Sequence, residues 1–116
     1  MIYFEKPLGQ IEISQNYFAG LVSHAAQSCF GVVGMVASGA SQGLRSMAGR
    51  QLPDKGVHVR TEDGALVIDL HIEVAYGVNI NAVVRSIISE VRYAVEQATG
   101  LKVSGVHVFV DAMRRD

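Results

Sequence analysis

The stretch LVIDLHIEV, residues 66–74, decides the fold. Its apolar and mainly polar side chains alternate, and a period of two indicates a strand with one buried face and one mixed face. Residues 57–60 alternate in the same way, and Glu62-Asp63-Gly64 between them supplies a turn in which glycine accepts positive φ. The two segments therefore predict a β-hairpin. The positions expected in the core are Leu66, Ile68, Leu70, Ile72 and Val74.

A long helix is predicted after this hairpin, and a final strand after the helix. Apolar residues recur at spacings of three and four, which gives the helix one apolar face. Asn79 or Asn81 can cap its first turn, and Gly100 is suited to end it in the left-handed conformation. In residues 101–110 the apolar positions change parity, which predicts a β-bulge at Ser104-Gly105.

The first half of the chain predicts a shorter version of the same pattern. Residues 10–14 form a strand, and Ser14 is placed to cap a helix whose apolar stripe runs from Tyr17 to Ala26. A short buried strand is predicted from residue 32. Residues 37–50, rich in Ala, Gly and Ser, predict a mobile excursion with at most a short helix at 44–48.

The predicted order is β-α-β-β-β-α-β in a chain of 116 residues, 49% of them hydrophobic and 18% charged. This length suits a single domain, and we expect residues 1–116 to form one. Since each strand has one apolar face, the elements predict an α+β two-layer sandwich. One mainly antiparallel sheet of four to five strands would carry both helices on one face.

Charge and cysteine content exclude several classes of protein. A net charge of −1 argues against a dedicated nucleic-acid binder, because such proteins neutralise phosphates with an excess of Lys and Arg. A single cysteine, Cys29, excludes an internal disulfide and a multi-cysteine zinc site, and it suits a reducing cytosol. The N-terminus lacks the pattern of a signal peptide. The charge-free stretch 13–44 predicts no membrane span, because His24 and Gln27 would lie near the bilayer centre.

The polar face of the predicted sheet holds the main candidate functional residues. Converging histidines and a carboxylate there form a possible zinc site, but no close ligand spacing supports it, and water-facing polar residues are normal on an antiparallel sheet. An aromatic side chain on that face instead points to a contact surface, unless the bulge turns it inward or the excursion covers it. Val67 would share this face. The polar residues concerned are His58, Arg60, Asp69, His71, Glu73 and His107. The predicted interaction face consists of His58, Arg60, His71, His107 and Phe109.

Other motifs give weaker signals. The GVVG stretch at 31–34 matches the short Gly-x-x-Gly signature of KH loops, but its middle residues are apolar. Residues 39–43 lack the Lys-Ser/Thr of a P-loop, and the nearby Arg45 and Arg50 are typical of solvated loop residues. His24 lies four residues from Ser28 and close to Cys29, yet no third group orients it. The sequence therefore predicts no catalytic residue, no cofactor and no metal ligand.

A set of short motifs in fixed order resembles the alkaline shock protein family of envelope stress response proteins, found mostly in Gram-positive bacteria. The motifs are GQIEIS at 9–14, GVVGM at 31–35, KGV at 55–57, DLHI at 69–72, YGVNI at 76–80, ATGLKV at 98–103 and VHV at 106–108. The sequence departs from the family at Asn81, where many relatives have proline, and it ends at Arg114-Arg115-Asp116 without the long charged tail of some envelope-associated members.

The resemblance implies a small, non-enzymatic, cytoplasmic bacterial protein that oligomerises. Some members of the family lie at the inner membrane face through a membrane-anchored relative, and others are linked to enzymes of lipid metabolism. We therefore expect a stress or envelope-homeostasis protein that acts by self-assembly and protein–protein contact, with recruitment to the membrane by a partner. The alternative is a small regulatory metal- or ligand-binding module linked to lipid metabolism.

Overall fold

The structure, a computed structural model, describes residues 2–6, 9–36 and 56–115. This part of the chain forms six strands and two helices. They are β1 (Ile2–Lys6), β2 (Gly9–Ile13), α1 (Gln15–Gln27), β3 (Val32–Met35), β4 (Val57–Glu62), β5 (Ala65–Ala75), α2 (Ile80–Thr99) and β6 (Val103–Arg114). The predicted excursion at 37–50 lies outside the described residues.

Strand β5 is the centre of a four-stranded sheet. On one side it pairs antiparallel with β4 along residues 65–70 and with β3 along residues 72–74. These two strands therefore lie end to end along the same edge of β5. The backbone of His71 joins them, because its C=O accepts from the N–H of Val36 at 3.0 Å and its N–H donates to the C=O of Gly56 at 2.8 Å.

Strand β6 pairs with the opposite side of β5, and this pairing is parallel. Its register shifts after the pair Leu66–Val103, so that Ser104 is the extra residue and the predicted bulge is confirmed. A second shift follows the pair Ile72–Val110 and makes Asp111 an extra residue. Residues 106–111 alternate without a change of parity, so the sequence pattern did not predict this second bulge.

Both helices pack on one face of the sheet, α1 against β3 and β4, and α2 against β6. The predicted α+β fold is confirmed. All five predicted core positions of β5 are fully buried and meet Phe18 and Val22 from α1. The apolar face of α2 completes the core with Val83, Ile87, Val91 and Val95.

The N-terminal strands form a separate two-stranded sheet, in which β1 pairs antiparallel with β2. The predicted strand at 10–14 is present as β2. Its partner β1 was not predicted, and residues 9–12 are exposed on both sides of the strand. None of the helices in the described part of the chain combines the length and the hydropathy that crossing a bilayer requires.

The helix ends follow the predicted capping residues. The side chain of Ser14 accepts a hydrogen bond from the N–H of Tyr17 at 3.1 Å. Of the two candidates at the start of α2, Asn79 is the cap, and its Oδ1 accepts from the N–H of Ala82 at 3.1 Å. Gly100 ends α2 with φ of 74°. The local sequence thus determines both the first and the last turn of α2.

Replacing Asn79 with alanine is expected to lower the free energy of unfolding by about 1 kcal/mol, because an orphan N–H of the first turn loses its acceptor. The matched control is Asn81→Ala, which removes an exposed amide one position inside the helix. Urea denaturation of both variants measures the difference. A loss at Asn81 as large as the loss at Asn79 would contradict the assignment of the cap.

Candidate functional site

The candidate site is the face of the sheet opposite the helices, called here the open face. The side chains of the odd-numbered residues of β5 point to the open face. Their register partners on β4 and β6 lie directly beside them and form rows across the sheet. One row holds His58, Asp69 and His107, and the next places His71 beside Phe109. All five predicted interaction residues therefore lie on one face.

The side chains of His71 and Phe109 contact each other on this face. Their rings are stacked, with centroids 4.6 Å apart and planes inclined by 12°. The Nδ1 of His71 lies 2.7 Å from Oδ2 of Asp111, and an ionised carboxylate there accepts the Nδ1–H. Phe109 remains 45% exposed. The first bulge thus does not turn this aromatic ring into the core, and Asp111 fixes the imidazole beneath it.

Arg60 is held at the other end of the open face by two carboxylates. Its Nε donates to Oε2 of Glu62 at 2.9 Å, and its Nη1 donates to Oδ2 of Asp69. The hydrogen bonds to Glu62 and then to Asp69 raise the pKa of the Arg60 guanidinium above its ordinary value. Arg60 therefore stays charged, and its carboxylate partners orient it along the sheet. At exposed positions such pairs contribute little to stability.

The two other histidines of the prediction flank Asp69 by register. An ideal Cβ on Gly105 would lie 3.5 Å from Nε2 of His107, so the His107 ring reaches back along β6 over this glycine. Among the residues that the structure describes, no group of three or more His, Cys, Asp or Glu side chains is placed to hold a metal ion. Asp69 accepts a hydrogen bond from the Arg60 guanidinium here.

Val67 shares the open face, as expected, but its side chain is buried there. Its exposed fraction is 4%, and its neighbours by register are Arg60 and Gly105. The His107 ring reaches over Gly105 towards Val67, and the long Arg60 side chain lies on the other side, so both help to cover it. Val67 therefore packs within the sheet surface.

Two members of the face were missed at the sequence level. Asp111 follows His107 and Phe109 at a period of two, which was the available signal for its place on this face. Arg114 was seen only as part of the C-terminus, yet its Nη2 donates to Oε1 of Glu73 at 3.1 Å. Asp111 lies at the second bulge and Arg114 beyond it.

The residues considered for nucleophilic catalysis and for KH-like binding lie elsewhere. Cys29 is buried, as expected, and its Sγ lies 3.6 Å from the C=O of Ala25. His24 is exposed on α1, and Ser28 donates its hydroxyl hydrogen to Ala25 instead. The GVVG stretch is the turn and first part of strand β3, paired with β5. It therefore lacks the open loop that clamps a phosphate backbone.

The fold and this face define a small α+β protein with a mixed polar and aromatic sheet surface. A family model matches residues 3–115 of the chain, that of the alkaline shock protein 23 family, described as having a cell envelope-related function. The chain belongs to this family. The family description names no enzymatic activity.

Two relatives from Gram-positive bacteria show the family relationship at the level of individual sequences. The chain is 36% identical to the uncharacterized protein YloU of Bacillus subtilis over 107 residues, which cover 91% of this chain and 89% of YloU. It is 32% identical to the uncharacterized protein Spy1614 of Streptococcus pyogenes serotype M6, with coverage of 91% and 88%. The similarity thus extends over nearly the whole of each protein.

Solved structures of MamM CTD share the fold. One that spans residues 215–293 of MamM aligns with a TM-score of 0.50 at 16% identity, covering 85% of this chain and 99% of that domain. A variant recorded in a nickel form also gives a TM-score of 0.50 at 16% identity, with coverage of 84% and 98%. At this level of identity the likeness concerns the fold alone.

Proposed function

We propose that the protein is a non-enzymatic component of cell-envelope homeostasis that acts by self-assembly and protein–protein contact through its open face. The stacked pair of His71 and Phe109, ordered by Asp111 and open to solvent, is the observation that carries the proposal. The family description supports the link to the envelope.

The aromatic part of the open face has the properties of an interface anchor. Aromatic side chains dominate the binding energy of many interfaces, especially where their conformation is already ordered in the free protein. Phe109 is held from one side by the His71 ring and exposes its other side. Covering that ring needs little further loss of side-chain freedom, so the contact favours association.

The charged part of the open face supplies specificity. Arg60 with its two carboxylates, and Arg114 with Glu73, place alternating charges at the two ends of the face. An association surface that meets these charges with complementary ones is favoured, and a mismatched surface is penalised. His58 and His107 extend the same pattern beside Asp69.

We propose that the protein is cytoplasmic and that a partner recruits it to the inner membrane face. We propose that residues 1–116 act there as one domain. The partner is one of two kinds of protein: a membrane-anchored relative of the same family, or an enzyme of lipid metabolism. No step of this function requires a cofactor or nucleic acid.

If the protein self-assembles through the open face, removing the Phe109 ring should lower the average mass of the assembly in solution. Phe109→Ser is expected to raise the dissociation constant of the assembly by about tenfold to a hundredfold, as truncation of an interface aromatic does. Light scattering on a size-exclusion column over a range of protein concentrations measures it.

The matched control is Tyr93→Ser, which removes an aromatic ring of 63% exposure from the outer side of α2. Its assembly should equal that of the unaltered protein. A protein that is monomeric at every concentration, or one that both substitutions weaken equally, would contradict self-assembly through the open face.

A further inference from the structure

The outer edge of β6 is a second feature with a bearing on association. β6 has 12 residues, and of the strands that the structure describes only β5 pairs with it. The opposite edge of the sheet is different, because it is divided between β3 and β4, whose ends meet at His71 of β5. The β6 edge is therefore the longer and more continuous template for a further strand.

The hydrogen-bond pattern shows which backbone groups of β6 face outward. In β5 the polar groups of His71 bond residues on the β3–β4 side. Because successive residues of a strand direct these groups to opposite edges, Leu70 and Ile72 direct theirs to β6. A parallel ladder bonds them to the residues on either side of their register partners, Val108 and Val110. The N–H and C=O of Val108 and Val110 themselves therefore face away from the sheet.

The side chains along this edge also leave part of the core uncovered. On the helix side, Val106, Val108 and Val110 are only partly buried, whereas the neighbouring residues of β5 are fully buried. On the open face, His107, Phe109 and Asp111 are all exposed. An added strand would cover the valines and extend the open face without interruption.

We infer that β6 pairs antiparallel with β6 of a second copy of this chain, about a two-fold axis at Phe109. This inference rests on the proposed self-assembly and names its geometry. Val108 then exchanges backbone hydrogen bonds with the partner's Val110, and Val110 with the partner's Val108. On the open face, Phe109 lies opposite the partner's Phe109, so that a row of four rings crosses the interface, two from each copy.

Hydrogen-bond complementarity favours this register. With the axis at Phe109, His107 lies opposite the partner's Asp111, and symmetry repeats the pair. An axis at His107 would place two imidazoles opposite each other, and an axis at Asp111 would place two carboxylates together. Two carboxylates opposite each other repel, and an axis at Val108 or Val110 would place Phe109 opposite His107 or Asp111. Only the axis at Phe109 places the imidazole of His107 opposite a carboxylate that can accept its N–H. Asp111 would then lie between His71 of its own chain and the partner's His107.

Disulfide trapping in a Cys29→Ala background tests the register. Directly opposite residues of a non-hydrogen-bonded antiparallel pair have Cα atoms about 4.5 Å apart, within the range of a disulfide. Phe109→Cys is therefore expected to form a covalent dimer under mild oxidation. His107→Cys is the matched control, since in this register the two copies of residue 107 are about 13 Å apart along the strands. We expect about tenfold more covalent dimer from Phe109→Cys, because proximity raises the effective thiol concentration.

A second variant retains the Phe109 ring, whose loss weakens the proposed contact. His107→Cys combined with Asp111→Cys places the two thiols opposite each other across the interface, and this double variant should yield dimer while each single variant does not. Peptide mapping of the trapped dimer should identify the bond between residue 107 of one chain and residue 111 of the other.

The outcomes separate this inference from the proposed function. If the unaltered protein assembles but neither Phe109→Cys nor the double variant is trapped, the β6 edge is wrong and self-assembly by another surface stands. Trapping of His107→Cys as efficient as that of Phe109→Cys overturns the register. If the unaltered protein is monomeric at every concentration and no variant is trapped, both proposals fail.

Discussion

Substituting alanine for Gly56 is expected to lower the free energy of unfolding by about 3 kcal/mol or more, since backbone strain and steric overlap add. Gly56 has φ of +80°, and an added Cβ would overlap the carbonyl oxygen of Val36 and lie 3.0 Å from that of His71. Both oxygens belong to backbone at the junction of β3, β4 and β5. Relief of the overlap therefore requires the strands themselves to separate.

Gly64→Ala is the matched control for this prediction. Gly64 has nearly the same φ, +79°, but no heavy atom of the described residues lies within 4 Å of the position of its Cβ. Only the conformational penalty remains, about 1 kcal/mol. Urea denaturation gives the free energy of unfolding of both variants. Their difference measures the cost of the steric overlap at Gly56 beyond the backbone strain that both positions share. Equal losses would show that the close approach at Gly56 is relieved at no cost.

Phe18→Ala is expected to have the other large effect, a loss of about 3 to 5 kcal/mol. Phe18 is fully buried on α1, within the core that the helices form with β5. Its truncation removes the largest apolar side chain that α1 contributes and leaves a cavity between the helix and the sheet. The native contacts of α1 with β3 and β4 depend on this layer.

Phe30→Ala makes the same chemical change at a side chain that is 88% exposed, in the turn after α1. Its effect should stay within about 0.5 kcal/mol, as for most surface substitutions. Chemical denaturation followed by circular dichroism gives both values. A loss at Phe18 no larger than that at Phe30 would mean that α1 does not hold the sheet in solution.

Local patterns in the sequence account for the elements of the fold. The alternation at 66–74 determines which side of β5 is buried, and the change of parity after Val103 locates the bulge at Ser104. Ser14, Asn79 and Gly100 act at helix ends because capping needs only residues within one turn. These features were predictable since each depends on neighbours in the chain.

The arrangement of the strands depends on contacts that are distant in sequence. No local signal shows that β3 and β4 share one side of β5, or that β6 runs parallel on the other. The pairing of β2 with β1 instead of the main sheet has the same origin. The order of the strands depends on how the whole core packs. The sequence alone does not show which strands pair or in which register.

The candidate site was predictable as a face and not as a set of contacts. Alternation placed His58, Arg60 and His71 together, and the first bulge kept Phe109 beside them. The contact between His71 and Asp111 joins residues that are not register partners, and the uniform alternation of residues 106–111 conceals the second bulge beside it. Bulges of this kind change which side chains meet while leaving the hydrophobic pattern almost intact.

The double attachment at His71 has a consequence for how the chain can vary in length. Because the C=O of His71 binds Val36 and its N–H binds Gly56, one residue of β5 holds both the last described residue before position 37 and the first described residue after position 55. Val36 and Gly56 are thus held at the same place on the sheet whatever number of residues separates them in the chain. Insertions and deletions between these two residues are therefore compatible with an unchanged sheet register.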